Sequence, residues 1–296
     1  MSNLVELVIN GLSLGSIYAL IALGFVVIFK ATEVVNFAHG SMLMLGAYVI
    51  AATHGRIGFP AAVAAGLATA ATVGLLIDRL LVSRLRRRSH TALAIVTIGV
   101  DIVLGAELAR RVGTEVLNMG DPWLDHTWRV AGFTFPVSRL AAIAVALVLI
   151  VAFAALVRYT DWGVAMRAAA EDAEAASLMG IRLGRVSMVA WVVAGVLAAV
   201  AGLFLATFPS PGLSATASTT ALRAFPAVVV GGMDSLSGAV VGGLVIGLAE
   251  TLAAGYSEQL LFLGRGLGDV APYAVMIAVL LWRPTGLFGT RELSRV

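Results

Sequence analysis

Long apolar runs separated by short polar stretches dominate this chain. They cover residues 4–29, 37–53, 60–82, 91–108, 140–157, 186–208, 236–254 and 270–282. A spanning helix needs roughly 20 predominantly apolar residues, so the pattern predicts eight spans, the last one short. A ninth run, 221–232, is too short for a straight span and carries Pro226. It is predicted to be a broken or re-entrant segment backed by protein and not by lipid. No basic stretch precedes the first run and no small-residue cleavage site ends it cleanly, so it reads as an uncleaved signal anchor. The predicted fold class is all-α: a polytopic integral membrane protein with about eight spanning helices, forming one transmembrane domain over residues 1–296.

The polar connections orient these spans. Arg84, Arg86, Arg87 and Arg88 follow the third run; Arg158, Arg167, Arg182 and Arg185 follow the fifth; Arg283, Arg291 and Arg295 follow the last. The positive-inside rule makes all three regions cytoplasmic. The stretch 113–138, with Trp123, Trp128, Asp121 and Asp125, then lies outside, and its two tryptophans suit an outer interface. Parity puts the N-terminus outside and Lys30 inside. It also requires a crossing between Pro209 and Ser235, and 221–232 is the candidate.

Composition agrees. Sixty per cent of the 296 residues are hydrophobic and 12% are charged, against about 25% charged in a soluble domain. The net charge of +3 comes from residues set between apolar runs, which reads as membrane topology and lipid contact and not as nucleic-acid binding. There is no Cys, hence no disulfide or thiolate chemistry. The only Lys is Lys30, followed by Ala31, so no P-loop is possible. HExxH is absent, the G-x-S-x-G match at 11–15 lies inside the first apolar run and not on a strand-to-helix turn, and the four His (His39, His54, His90, His126) lie in different segments. The sequence offers no constellation for hydrolysis or metal-dependent catalysis.

Small-xxx-small spacings at Gly11/Gly15, Gly238/Gly242 and Gly243/Gly247 mark places where helix backbones approach closely. The cytoplasmic loop 160–185 holds an Ala-rich stretch, 168–179, with Glu171, Asp172 and Glu174. Ala and Glu favour helix, and Gly180 is a natural C-cap. A short helix with an apolar tip at Leu178 and Met179 is predicted across the cytoplasmic face. It suits docking better than a plain connector.

These features resemble one family. Residues 167–185 are similar to the coupling loop of the branched-chain amino acid permeases of bacterial ABC importers. The run Gly-Leu-Ser-Leu-Gly-Ser-Ile-Tyr-Ala-Leu-Ile-Ala-Leu at 11–23 and Val-Asn-Phe-Ala-His-Gly at 35–40 resemble that family's N-terminal signature. The stretch 230–250, with Gly231, Gly232, Ser235, Gly238, Ala239, Gly242, Gly243 and Glu250, resembles its late glycine-rich motif. Arg-Pro-Thr-Gly-Leu-Phe-Gly at 283–289 resembles its ending. The compact N-terminus is closer to LivH-type subunits than to their longer LivM-type partners. Asp234 stands where the family has Gly at least as often.

The resemblance implies a permease subunit of the bacterial inner membrane. It would pair with a LivM-like second permease, two cytoplasmic ATPases and an external solute-binding protein. ATP and Mg would be held by the ATPases, with no cofactor and no enzymatic activity on this chain. The solute would be a branched-chain amino acid or a related small molecule such as urea or an amide. The coupling residues it implies are Arg167, Glu171, Asp172, Ala175, Leu178, Met179, Gly180 and Ile181.

Pathway candidates are Tyr18, Asn36, Phe37, His39 and Asp101. Asn36 at the start of the second span suits an N-cap, or a helix start that meets a substrate carboxylate. His39 near the membrane is expected to be neutral. Asp101 falls mid-span, where a carboxylate must face the bundle and be paired. It either lines the pathway or bonds a neighbouring Ser, Thr or Arg. Glu250 and Tyr18 each call for a structural hydrogen bond, and Arg223, in the broken segment, is expected to pair with Asp234 or Glu250. A competing class is a secondary transporter driven by an ion gradient through Asp101, Glu107 and His39.

Overall fold

The computed structural model describes residues 2–85, 90–123, 126–130, 133–208, 211–259 and 266–290. Arg86, Arg87, Arg88, Asp125, Arg291 and Arg295 lie outside these described residues. Thirteen helices are present among them: α1 (Ser2–Thr32), α2 (His39–Ile57), α3 (Phe59–Ile77), α4 (Ser83–Leu85), α5 (His90–Val112), α6 (Val137–Tyr159), α7 (Asp161–Glu171), α8 (Ala173–Leu178), α9 (Leu183–Leu205), α10 (Ala217–Leu222), α11 (Phe225–Gly231), α12 (Leu236–Gly255) and α13 (Leu267–Trp282). A π-helical turn, Asp78–Val82, joins α3 to α4. Six of these stretches are long and apolar enough to cross a membrane. With α2 and the 16-residue α13, all eight sequence-predicted spans are helical.

The bundle is built around two helices. The apolar window of α1 is 89% buried and that of α9 is 72% buried, whereas those of α5 and α6 are 17% and 22% buried. A helix that is apolar all round must lie inside protein or lipid. Here α1 and α9 take the protein interior, while α5 and α6 present Ile102, Val103, Leu147, Val148 and Val151 outward. Glycine makes the inner contacts possible. Gly243 and Gly247 of α12 sit on the backbone of Ala19 and Gly15 of α1, and Gly242 sits on Ala227 of α11. On α3, Gly74 lies where a Cβ would be 2.5 Å from the carbonyl oxygen of Trp191 on α9, and Gly195 of α9 meets the carbonyl of Ala70 at the same spacing. Both tight partners of α12 run antiparallel to it.

Where the sequence calls for a crossing between 209 and 235, the chain forms two short helices, α10 and α11. The break differs from the expected one. Pro226 does not interrupt a helix; it sits in the first turn of α11, where its missing N–H costs no intrahelical bond. The interruption falls at Arg223 and Ala224, one turn earlier. The second predicted span also starts later, at His39, because 33–38 forms an irregular turn in which Glu33 has φ 56°.

The outer segment departs from a purely helical reading. Thr127–Val130 (β1) and Phe133–Pro136 (β2) form an antiparallel hairpin pairing Thr127 with Pro136 and Val130 with Phe133. Trp128 is exposed there, as an interfacial anchor would be. Trp123 is not at the surface in that sense: it stacks on Phe204 at 5.9 Å and meets the edge of Phe59 at 5.4 Å. Its indole plugs the outer ends of α3 and α9.

One buried polar pair was not anticipated. Asp78, in the π-helical turn, is 2% exposed and accepts a hydrogen bond from Ser187 Oγ of α9. A carboxylate inside an apolar run was the available signal. Ser187→Ala deletes a hydrogen bond to a buried carboxyl group. It is expected to cost about 1–3 kcal/mol, measured as a lower unfolding midpoint of the detergent-purified protein.

Candidate functional site

Polar and charged side chains gather at three levels. The first is the face that the loop 160–185 covers. The loop 160–185 is not one helix over 168–179 but two, α7 and α8, meeting at Asp172. The cause is local. Asp172 adopts an extended backbone (φ −156°, ψ 102°), and its Oδ1 accepts from the Ala175 N–H at 2.9 Å. An aspartate that caps the helix after it ends the helix before it. Thr160 caps α7 in the same way, accepting from Gly163 N–H.

These helices are fixed to the bundle on one side only. Trp162 Nε1 donates to the Val186 carbonyl at 3.2 Å, Arg167 donates to the Val157 carbonyl, and Met166 is fully buried. On the far side, Leu178 and Met179 are 84% and 85% exposed. Gly180 follows with φ 89°, and Ile181 N–H returns to the Ala176 carbonyl at 3.0 Å. The result is a capped, anchored pair of helices whose apolar tip touches almost nothing. Of the residues singled out for coupling, Ala175, Leu178, Met179, Gly180 and Ile181 lie at or beside this tip. Arg167, Glu171 and Asp172 lie on the side of α7 and α8 nearer the bundle, Asp172 at the break between the two helices.

The motifs at 230–250 and 283–289 converge beside this loop. Leu287 N–H donates to the Val230 carbonyl at 2.8 Å and Phe288 N–H to the Gly231 carbonyl at 3.0 Å. Gly232, with φ 105°, abuts Gly289 so closely that a Cβ would lie 2.5 Å from its nitrogen. Asp234 accepts from the backbone N–H of Thr290 at 3.0 Å and from its hydroxyl, and Lys30 Nζ donates to the Asp234 carbonyl at 2.7 Å. Burial opposes ionisation of Asp234, but the Thr290 bonds and nearby Lys30 outweigh it and hold the carboxyl below its usual range. Asp234 is therefore not the partner of Arg223, one of the two expected.

The second level is the start of α2. His39 is fully buried, with its ring 4.6 Å from that of Phe25 and over Gly24 of α1. Asn36 is buried too, but it does not cap α2. The N-cap residue is Ala38, and Asn36 Oδ1 accepts from the Ala38 N–H at 3.0 Å, closing a turn ahead of the helix. The Phe37 N–H donates to Thr97 Oγ1 at 3.2 Å, and the Ser41 N–H donates to Asp101 Oδ1 at 3.2 Å. Asn36, Phe37, His39 and Asp101 are thus brought together where α2 starts against α1 and α5. Glu107 is elsewhere, paired with Arg110 and Arg111 of its own helix.

The third level joins the broken segment to the bundle. Tyr18 Oη donates to Glu250 Oε2 at 2.7 Å, and Arg223 lies 4.0 Å from Glu250 Oε1 and forms a closer pair with Asp269 of α13. Arg223 stands at the break between α10 and α11, so this network pins the break to α1, α12 and α13. Arg223→Gln breaks the partly exposed pair with Asp269 and removes the cation 4.0 Å from Glu250, and is expected to destabilise the protein by about 0.2–1 kcal/mol. Glu250→Gln should cost less in the Arg223→Gln background than in the wild type. Thermal unfolding of the two single variants and the double variant reads the coupling directly.

Sequence comparison places this geometry. The model of the family described as "Branched-chain amino acid transport system / permease component" matches residues 7–280. The chain is 34% identical over 303 aligned positions to the high-affinity branched-chain amino acid transport permease LivH of Escherichia coli K12, covering 97% of this chain and 96% of that one. It is 31% identical to BraD of Pseudomonas aeruginosa, with the same coverage. It is 30% identical to a probable LivH of Methanocaldococcus jannaschii, covering 95% and 92%. No solved structure matches. With its six long apolar helices and shorter apolar ones, this is therefore a multi-pass inner-membrane protein, and the chain belongs to the permease-component family of branched-chain amino acid transport systems.

Proposed function

We propose that this chain forms one half of the translocation path of a binding-protein-dependent importer that carries branched-chain amino acids into the cell. Family membership makes it a transport component that works with ATPase and binding-protein partners. The finer reading is ours: a LivM-like permease as second subunit, two ATPases that hold ATP and Mg, no enzymatic activity on this chain, and leucine, isoleucine or valine as solute. The observation that carries it is the α7–α8 pair. Anchored by Trp162, Met166 and Arg167, it presents Leu178 and Met179 to a partner. Closure of the ATPases on ATP would push this tip, and the hinge at Asp172 would pass the motion to α6 and α9.

In this reading, Asn36, Phe37, His39 and Asp101 shape the cytoplasmic half of the path, and Tyr18 takes part through Glu250 and the broken segment. The ion-gradient alternative is not favoured by the family. Glu107, one of its three residues, is tied into an exposed pair with two arginines.

The test is transport in proteoliposomes. The chain is reconstituted with its partner permease and ATPases, with binding protein and radiolabelled leucine outside and ATP inside. Uptake that requires both ATP and the binding protein is expected. Uptake by this chain alone under an ion gradient would overturn the reading. Uptake of urea or amides in place of leucine would overturn the solute assignment only.

A further inference from the structure

A cleft of about 1180 Å³ opens between the cytoplasmic ends of α1, α6, α7 and α12. We propose that it binds a two-chained glycerophospholipid of the cytoplasmic leaflet. The acyl chains would lie along α1, α6 and α12, and Arg158 and Arg167 would hold the phosphodiester.

Size is the first argument. Ordinary small-molecule pockets run to roughly 300–1,000 Å³, and this cleft exceeds them. A single amino acid would be lost in it.

Depth is the second. The lining runs from Lys30 back to Leu23 on α1 and from Arg158 back to Ile150 on α6. Seven or eight residues at 1.5 Å each carry it about 10–12 Å up from the charged rim, well into a hydrocarbon layer about 30 Å thick. At that depth the walls are apolar, among them Leu23, Phe153 and Val241. Leu147, Val148 and Val151 extend the apolar surface of α6 outward beyond the cleft, giving a membrane lipid a lateral approach.

Charge is the third. Arg167 donates to the carbonyl of Val157, the residue before Arg158, which places both guanidinium-bearing residues at the end of α6. That bond uses one of five N–H donors, and a guanidinium recognises phosphate through paired donors. Asp234, also on the rim, is taken up by Thr290. Glu33 and Glu171 share the rim, so the cleft is not simply basic, and an ethanolamine head is accommodated as well as a glycerol one. A lipid seated here would touch the bundle and α7 together, through Ala170 and Glu171. Its occupancy would stiffen the connection that carries coupling motion.

The experiment is native mass spectrometry of the full chain assembled with its partner subunits. The assembly is first equilibrated with vesicles of phosphatidylethanolamine and phosphatidylglycerol. The wild type is expected to keep a phospholipid through detergent washing, with either head group. Ala154→Trp puts an indole into the cleft and is expected to expel it. Arg158→Gln, a change at the exposed rim that loses only a contact with the exposed Tyr159 ring, should weaken retention about tenfold, the loss of one charge-assisted hydrogen bond. Equal retention by the wild type and both variants would overturn the proposal. So would equal binding of diacylglycerol, which lacks phosphate, or displacement of the lipid by soluble glycerol phosphate. None of these outcomes depends on which solute is transported.

Discussion

Gly247→Val is expected to leave little folded protein in the membrane. The α carbon of Gly247 faces the backbone nitrogen and α carbon of Gly15, with the Gly11 carbonyl oxygen 2.9 Å from where a Cβ would stand. The obstacles are all backbone, so no rotamer change relieves them. Overpacking a core ordinarily costs about 1–3 kcal/mol because side chains can shift. Here α1 and α12 must separate along their length. That separation also strips Tyr18 from Glu250 and lifts Gly243 from Ala19. The loss should therefore exceed the ordinary range. Expression level and the unfolding midpoint in detergent measure it. Gly105→Val is the control: nothing lies within 4 Å of a Cβ at Gly105, so it should express as the wild type does. Equal behaviour of the two variants would mean that α1 and α12 do not pack through their glycines.

The contrast between these glycines shows what the sequence could reveal. Spacing marked Gly243 and Gly247 as a contact surface, because lipid gives helices no hydrophobic reason to associate and small residues supply close approach instead. It could not say that the partner was Gly15, more than 220 positions away. The spans were legible for a similar reason: backbone groups in hydrocarbon must be satisfied within the helix, so each crossing demands its own long apolar run. Parity calls for a broken segment there, and two short helices are found, but the break point is not legible: a proline in the first turn starts a helix and does not break one.

The split at Asp172 had a signal that went unread. Helix propensity favoured one continuous helix over 168–179, but an Asp with Glu174 two residues later also describes a fresh N-terminus. Of the candidate sites, the cytoplasmic tip was the most visible, because it depends on contiguous residues. The pairings Tyr18–Glu250, Arg223–Asp269 and Asp234–Thr290 join distant segments, and nothing local distinguishes the right carboxylate from the wrong one. Arg223 had two expected partners, and only Glu250 stands near it.

The second large effect is expected at the tip itself. Leu178→Glu combined with Met179→Glu should abolish ATP-dependent uptake while the protein inserts and folds normally. Folding is spared because both side chains are more than four-fifths exposed and the bonds that shape the tip are backbone bonds, from Met179 N–H to Ala175 and from Gly180 N–H to Ser177. Surface substitutions of this kind ordinarily stay within about ±0.5 kcal/mol. Docking is not spared, because burying two carboxylates against an apolar partner surface costs several kcal/mol unless each finds a cation. A loss of that size is a hundredfold or more in affinity. Co-purification of the ATPases and radiolabelled leucine uptake are the two readouts, and both should fail together. Gly180→Pro attacks the same tip differently. It demands φ near −65° where the backbone sits at 89°, so the turn must rebuild although the space around it is open. If the Glu pair retains full uptake, α8 is not where the ATPases press, and the motion must enter through another cytoplasmic element. If the Glu pair loses ATPase binding while Gly180→Pro keeps it but loses uptake, contact resides in the apolar tip and transmission resides in the turn.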